Sequence, residues 1–142
     1  MTNTEIANRL ALKELVDTFS NLADTKDVCA QMKLFKEDAK VVSINGDQKF
    51  VSEGKEAIGK AFSDYLDLFH TVYHLNGQQT VSFQYNNHAQ GISYCQVVLI
   101  TNQDGKEVTR TSGVRYQDYY EKIDGNWLIA SRESHFIWTK VD

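Results

Sequence analysis

The chain has 142 residues, 42% of them apolar and 24% charged, with a formal net charge of −4. That is one domain, 1–142, with enough apolar material for a hydrophobic core, and the acidic balance with no basic run argues against a nucleic-acid partner. No apolar stretch reaches membrane-spanning length, and Met1-Thr2-Asn3-Thr4-Glu5 lacks the basic-then-apolar pattern of a secretory signal, so a cytoplasmic protein without a membrane partner is the expectation.

Ile6, Leu10, Leu12 or Lys13, Val16 and Phe19 recur at approximately helical spacing. They predict a first helix, capped by Thr4 or Asn3 and running to about Ala23. A second, short helix is expected over Val28 to Leu34, with Asp27 as its cap. A strand over Lys40 to Ile44, the hairpin signal Asn45-Gly46-Asp47, and a return strand over Lys49 to Ser52 follow. A third helix is predicted from Lys55 to Phe69, with Ala57, Ile58, Ala61, Phe62, Tyr65 and Leu68 on its apolar side.

From there the chain reads as β. Strands are expected over Thr71 to Tyr85, interrupted near Asn76-Gly77, then His88 to Thr101, Glu107 to Ile123, and Asn126 to about Trp138. Asn86-Asn87, Asp104-Gly105 and Asp124-Gly125 supply the turns in a chain that has no proline. Helices segregated from a long antiparallel meander indicate the α+β class. In the strand from His88, Ala89, Gly91, Ser93, Cys95, Val97 and Leu99 share one face. Gln90, Ile92, Tyr94, Gln96, Val98 and Ile100 share the other. Both faces are substantially apolar, so one is expected to line a core or pocket and the other to form a subunit interface, in a homodimer or alternatively a trimer.

The chemistry concentrates on Asp24, at the end of the first helix, and His74, at the start of the β run, fifty residues apart. A carboxylate that orients and charges an imidazole is a general acid–base device near neutral pH. The bland alternatives are a helix-end carboxylate that caps Val28-Cys29 and a strand histidine bonded to backbone. His70 and His74 have a helical metal-pair spacing but straddle a helix-to-strand boundary, so no metal is expected. His88 beside a turn is read as solvated, and His135 near the end as an edge residue or, alternatively, one at the pocket rim. Cys29 and Cys95 lack metal-type spacing and read as reduced, buried side chains. Tyr73, Tyr94 and Tyr116 are the phenols best placed to donate to a substrate carbonyl. Asp118 shares a face with Tyr116, and pairs with Arg132 or Arg110 either in a pocket wall or as a structural bridge under the sheet. Trp127, Phe136 and Trp138 are read as core.

In the order and spacing of Asp24-Thr25-Lys26-Asp27, Leu34-Phe35-Lys36-Glu37-Asp38-Ala39, Gly54-Lys55-Glu56-Ala57-Ile58, and Tyr116-Gln117-Asp118-Tyr119-Tyr120 with Asp124-Gly125-Asn126-Trp127-Leu128-Ile129, the chain resembles the SnoaL-like branch of the nuclear transport factor 2-like superfamily. The resemblance covers nearly the whole length. It implies a cone, cystatin-like in build: a curved, mainly antiparallel sheet on about three helices, with a deep pocket at the open end. Within the branch the pattern is most similar to the scytalone dehydratase family, whose catalytic aspartate matches Asp24 and one of whose two catalytic histidines matches His74. The other histidine falls on Cys95. The tyrosine before the aspartate falls on Ala23, and a pocket serine and asparagine fall on Val114 and Tyr116. The resemblance thus implies a cofactor-independent acid–base enzyme of dehydratase, isomerase or cyclase type, acting on a small, partly apolar molecule. Asp24 and His74 are its catalytic residues, and Tyr94, Cys95, Val114, Tyr116 and Asp118 its candidate substrate-binding residues. A non-catalytic ligand-binding module and a protein-interaction subunit are the alternatives.

Overall fold

Helix α1, Asn3–Asp24, buries Leu12, Leu15, Val16, Phe19 and Ala23 along one face in the computed structural model, which describes residues 1–142. Its cap is Thr2 rather than Thr4 or Asn3: Thr2 Oγ1 accepts from the Glu5 amide at 3.0 Å and satisfies a donor that has no helical partner. The chain reverses at Lys26, which takes a left-handed φ of 57°. Asp27 then caps α2, Val28–Met32, by accepting from the Ala30 amide at 3.1 Å. The Lys26 ammonium donates to the Phe69 carbonyl and ties this corner to the segment that leads into the third strand.

Six strands form one curved, unclosed sheet: β1 Phe35–Asn45, β2 Gln48–Glu53, β3 Thr71–Tyr85, β4 His88–Gln103, β5 Lys106–Ile123 and β6 Asn126–Val141. Helix α3, Lys55–Leu66, lies between β2 and β3 in sequence. The sheet order is β2-β1-β6-β5-β4-β3, with every pair antiparallel except β1 beside β6, which is parallel. The hairpin expected near Asn45-Gly46-Asp47 therefore extends the C-terminal strand's free side rather than the start of the meander.

Several elements differ from the sequence reading; α2 ends at Met32 and not Leu34. β1 begins at Phe35 instead of Lys40, because Phe35 is a fully buried core residue that meets the Phe19 ring edge-on at a centroid distance of 5.7 Å. The charged run Lys36-Glu37-Asp38 disguises this strand start. α3 stops at Leu66, and Leu68 is exposed. β3 is not interrupted at Asn76-Gly77; a register shift between Asn76 and Gln79 takes up the irregularity.

The alternation expected for β4 is present, with Ala89, Cys95, Val97 and Leu99 buried and Ile92 and Tyr94 exposed. Two apolar clusters fill the concave side. One joins α1 to Phe35, Ile58, Tyr120, Trp127 and Ile129. The other gathers Leu66, Phe69, Val72, Cys95, Val97, Leu99, Val114 and Tyr116. Trp127 is core, with its indole N–H donated to Asn8 Oδ1 at 3.0 Å. Trp138 is not: it is half exposed and lies across Gly113, where a Cβ would come within 2.1 Å of the indole nitrogen. Cys95 is buried but Cys29 is exposed, since it sits on the outer side of the single turn of α2; both are free thiols. No helix is long and apolar enough to cross a membrane.

Candidate active site

Asp24 and His74 meet. His74 Nδ1 lies 2.7 Å from Asp24 Oδ1, and the His74 backbone amide donates to Asp24 Oδ2 at 3.2 Å. Both carboxylate oxygens are thereby committed to one residue. An ionised carboxylate only accepts, so Nδ1 carries the proton and Nε2 keeps its lone pair. The spacing is held one turn back along α1. Asn76, two residues after His74, donates to the Val16 carbonyl at 3.2 Å and to Asp17 Oδ1 at 2.9 Å, and accepts from Ser20 Oγ at 3.1 Å. Burial holds the imidazole below its ordinary pKa, the Asp24 hydrogen bond and charge partly offset this, and the Arg132 charge adds to the lowering. The result is a neutral, oriented base.

His74 lines a cavity of about 120 Å³ bounded by both apolar clusters. Phe19, Phe62, Leu66, Val97, Leu99 and Phe136 make most of its wall. Its polar members include Arg132, Gln31, Ser43 and Ser134.

Arg132 is 2% exposed. Asp118 holds it from behind: Nε donates to Oδ1 at 2.9 Å and one terminal nitrogen, Nη2, to Oδ2 at 3.0 Å. Tyr120 donates to the same Oδ2 at 2.6 Å. The guanidinium is stacked between aromatic rings, 3.9 Å from the Tyr116 centroid and 4.6 Å from that of Phe19. Its other terminal nitrogen, Nη1, is buried with no partner. A fully formed buried ion pair that keeps one donor free is a ready stabiliser of negative charge in a water-poor site.

The remaining sequence candidates separate clearly. Tyr116 lines the cavity, but its ring serves as a plate for Arg132; burial pushes its pKa far up. Cys95 and Val114 pack in the cluster beneath and do not line the cavity. Burial pushes the Cys95 thiol up to about 11, which suits a core side chain and not a nucleophile. Asp118 does not line this cavity either; it acts through Arg132, so the partner is Arg132 and not Arg110. Tyr94 is on the wrong side: strand alternation sends Cys95 inward and Tyr94 onto the outer face, as it does Tyr73. Phe136, read as core, is part of the wall. His70 is exposed, with Nδ1 2.8 Å from Thr71 Oγ1. Neither His88 nor His135 lines the cavity. No group of three or more His, Cys, Asp or Glu side chains is arranged to hold a metal ion.

Two wall residues escaped the sequence reading. Arg132 was visible only as an ion-pair partner, because a bulge in β6 hides its inward phase: Tyr120 pairs with Ile129 but Tyr119 with Ser131. Counting by twos from the buried Trp127 and Ile129 would send Arg132 outward. Gln31, on the short α2, carries no local signal at all.

A curved, unclosed, mostly antiparallel sheet on three helices is the cystatin-like α+β class. The SnoaL-like domain model matches residues 4–133, and the chain belongs to that family. Among solved structures it is similar to a provisionally named scytalone dehydratase of Novosphingobium aromaticivorans, at 22% identity and a TM-score of 0.87 over 99% of this chain and 91% of that one. It is similar also to a type 2 hexachlorocyclohexane dehydrochlorinase (LinA), at 16% identity and a TM-score of 0.85 over 98% and 91%. A Nostoc punctiforme protein of unknown function with a cystatin-like fold aligns at 24% identity and a TM-score of 0.72 over 90% of each chain. A search of curated protein sequences gives no match.

Proposed function

We propose that this protein is a lyase that removes a proton from carbon and expels a neighbouring leaving group without a cofactor. The observation that carries the reading is one apolar cavity walled by a neutral His74 held by Asp24 and by an Arg132 with an unpartnered donor. His74 Nε2 takes the proton. The C–H electron pair becomes the new double bond, and the leaving group departs with its own electron pair. The imidazolium, supported by Asp24, returns the proton to the departing group. Arg132 Nη1 stabilises the negative charge that develops on the substrate oxygen or the leaving group. The carbonyl-polarising role expected of a tyrosine passes to Arg132, because Arg132 keeps a buried donor free in the cavity wall and the Tyr116 ring is its stacking partner.

Two structural neighbours support an elimination: a dehydratase expels water and a dehydrochlorinase expels hydrogen chloride. The cavity of about 120 Å³ is close to an engineered apolar cavity of ~150 Å³ that admits benzene, so the fitting substrate is about the size of one six-membered ring. Loss of water is favoured over isomerisation or cyclisation.

The test is turnover of small cyclic β-hydroxy ketones, followed by mass spectrometry, with the parent and two variants. His74→Ala is expected to lose roughly 100- to 10,000-fold in kcat, and Asp24→Asn less, since it keeps the shape but not the charge. Melting curves check that both are folded. A well-folded His74→Ala with the parent's rate overturns the mechanism. Saturable binding without conversion by any of the three proteins makes the protein a ligand-binding module instead.

A further inference from the structure

Besides His74, whose Nε2 only accepts, two side chains in the cavity wall are single-purpose. Arg132 Nη1 can only donate, and Gln31 Oε1 can only accept. Both atoms are buried without a partner, in residues 2% and 1% exposed. The Gln31 amide is fixed from behind, because its Nε2 donates to the Phe19 carbonyl at 3.2 Å. A flip would set two carbonyl oxygens against each other, so the free atom is the oxygen. Ser43 and Ser134 also line the cavity, but a hydroxyl both donates and accepts and imposes no sense on a ligand. A buried acceptor left unpaired is costly, and a ligand that donates to it recovers that cost on binding.

We infer that Gln31 is a specificity residue whose side-chain oxygen accepts a hydrogen bond from a hydroxyl or N–H of the substrate, while Arg132 donates to an oxygen elsewhere on the same molecule. This rests on the cavity being the reaction site proposed above, and it narrows the substrate class to ring-sized hydroxy-carbonyl compounds. A polyhalogenated ring has no donor and would bury the Gln31 oxygen unpaired. The selectivity is therefore carried by a penalty against the wrong ligand as much as by attraction for the right one.

The experiment is titration calorimetry of the parent with hydroxycyclohexanones and with methylcyclohexanones substituted at the same ring position. The two substituents are similar in size and differ in hydrogen bonding. At least one hydroxy isomer is expected to bind roughly tenfold or more tightly than its methyl counterpart. Gln31→Met keeps the length of the side chain, removes the amide oxygen, and is expected to erase that preference. If loss of the Phe19 bond unfolds Gln31→Met, the same ligand pairs on folded His74→Ala, where Gln31 Oε1 is the acceptor-only atom left in the wall, decide instead: a hydroxyl preference that vanishes there overturns the inference. Equal affinity for every pair, no binding of either compound at millimolar concentration, or a preference that survives in folded Gln31→Met overturns the inference. Binding needs no turnover, so the two proposals fail separately. A hydroxyl preference without conversion removes the lyase and leaves Gln31; His74-dependent conversion without the preference does the reverse.

Discussion

His74 is buried against its own charged form, and that fixes the direction of its pH response. Burial and the Arg132 charge lower its pKa, while Asp24 raises it. The base form therefore persists from below the ordinary imidazole value of about 6.5 upward. On this limb kcat/KM is expected to be flat above about pH 7 and to fall with unit slope as the pH drops through the lowered value. Asp24→Asn removes the raising charge and leaves at most a weaker, neutral hydrogen bond, so the limb should move to still lower pH while the plateau falls. A variant that is merely misassembled would lower the plateau and leave the limb in place. The stability consequence has the same sign. Between the lowered native value and about 6.5, the unfolded chain binds a proton that the native chain refuses, so acidification through that window destabilises the fold. A pH–rate profile of parent and variant checks the first statement, and melting temperatures across the window check the second. A limb that moves upward in Asp24→Asn would mean that the carboxylate does not support the imidazolium.

At the scale of elements, the site depends on how closely strands and rings approach. Gly91 on β4 pairs with Asp118 on β5, and a Cβ on Gly91 would stand 2.8 Å from Tyr120 Cε2. Tyr120 is the ring that donates to Asp118, which in turn holds Arg132. Gly91→Ala should therefore displace Tyr120 and loosen Arg132 without touching the cavity itself. An overpacked core of this kind costs about 1–3 kcal/mol. The expected outcome is a melting point several degrees lower and a kcat reduced more than KM is raised. An unchanged melting point would show that the ring is free to move aside. The same elements explain what was legible in the sequence. The meander, the hairpin and the helices follow from periodicity and from Asn-Gly and Asp-Gly turns, and the inward set of β4 was readable by alternation alone. The meeting of Asp24 with His74 was reachable only through the family resemblance, since a fifty-residue separation carries no local signal. Tyr94 was placed in the pocket for its chemistry although its strand phase pointed outward. Arg132 was lost because one extra residue in β6 resets the phase, and Phe35 because charged neighbours mask the strand it starts.

For the whole molecule, the convex side of the sheet is the unresolved surface. Tyr73, Leu75, Ile92 and Tyr94 are exposed there on adjacent strands, and Trp138 lies on the same side. We propose that this face joins copies of the chain into a dimer or trimer, as the alternating pattern of β4 suggests, because a contiguous apolar patch of this kind marks an interaction surface. Val98 and Ile100, expected on the same face as Ile92 and Tyr94, are half-buried within the sheet and contribute less. Light scattering at micromolar concentration is expected to give a multiple of the 16.2 kDa chain mass, and Ile92→Glu with Tyr94→Glu to give a folded monomer. A parent protein that stays monomeric at that concentration rules the interface out.

The indole laid across Gly113 gives this molecule a built-in optical label. The chain has two tryptophans. Trp127 is sealed in the core, whereas Trp138 is half exposed on the convex face, held flat against a backbone that has no side chain to lift it. Indole emission shifts to the blue as water is excluded from the ring. In a Trp127→Phe background, a blue shift on concentration would report association through the convex face. In a Trp138→Phe background the emission would stay constant over the same range and change only when the core opens. One chromophore thus reads assembly and the other reads folding, with no dye attached to either.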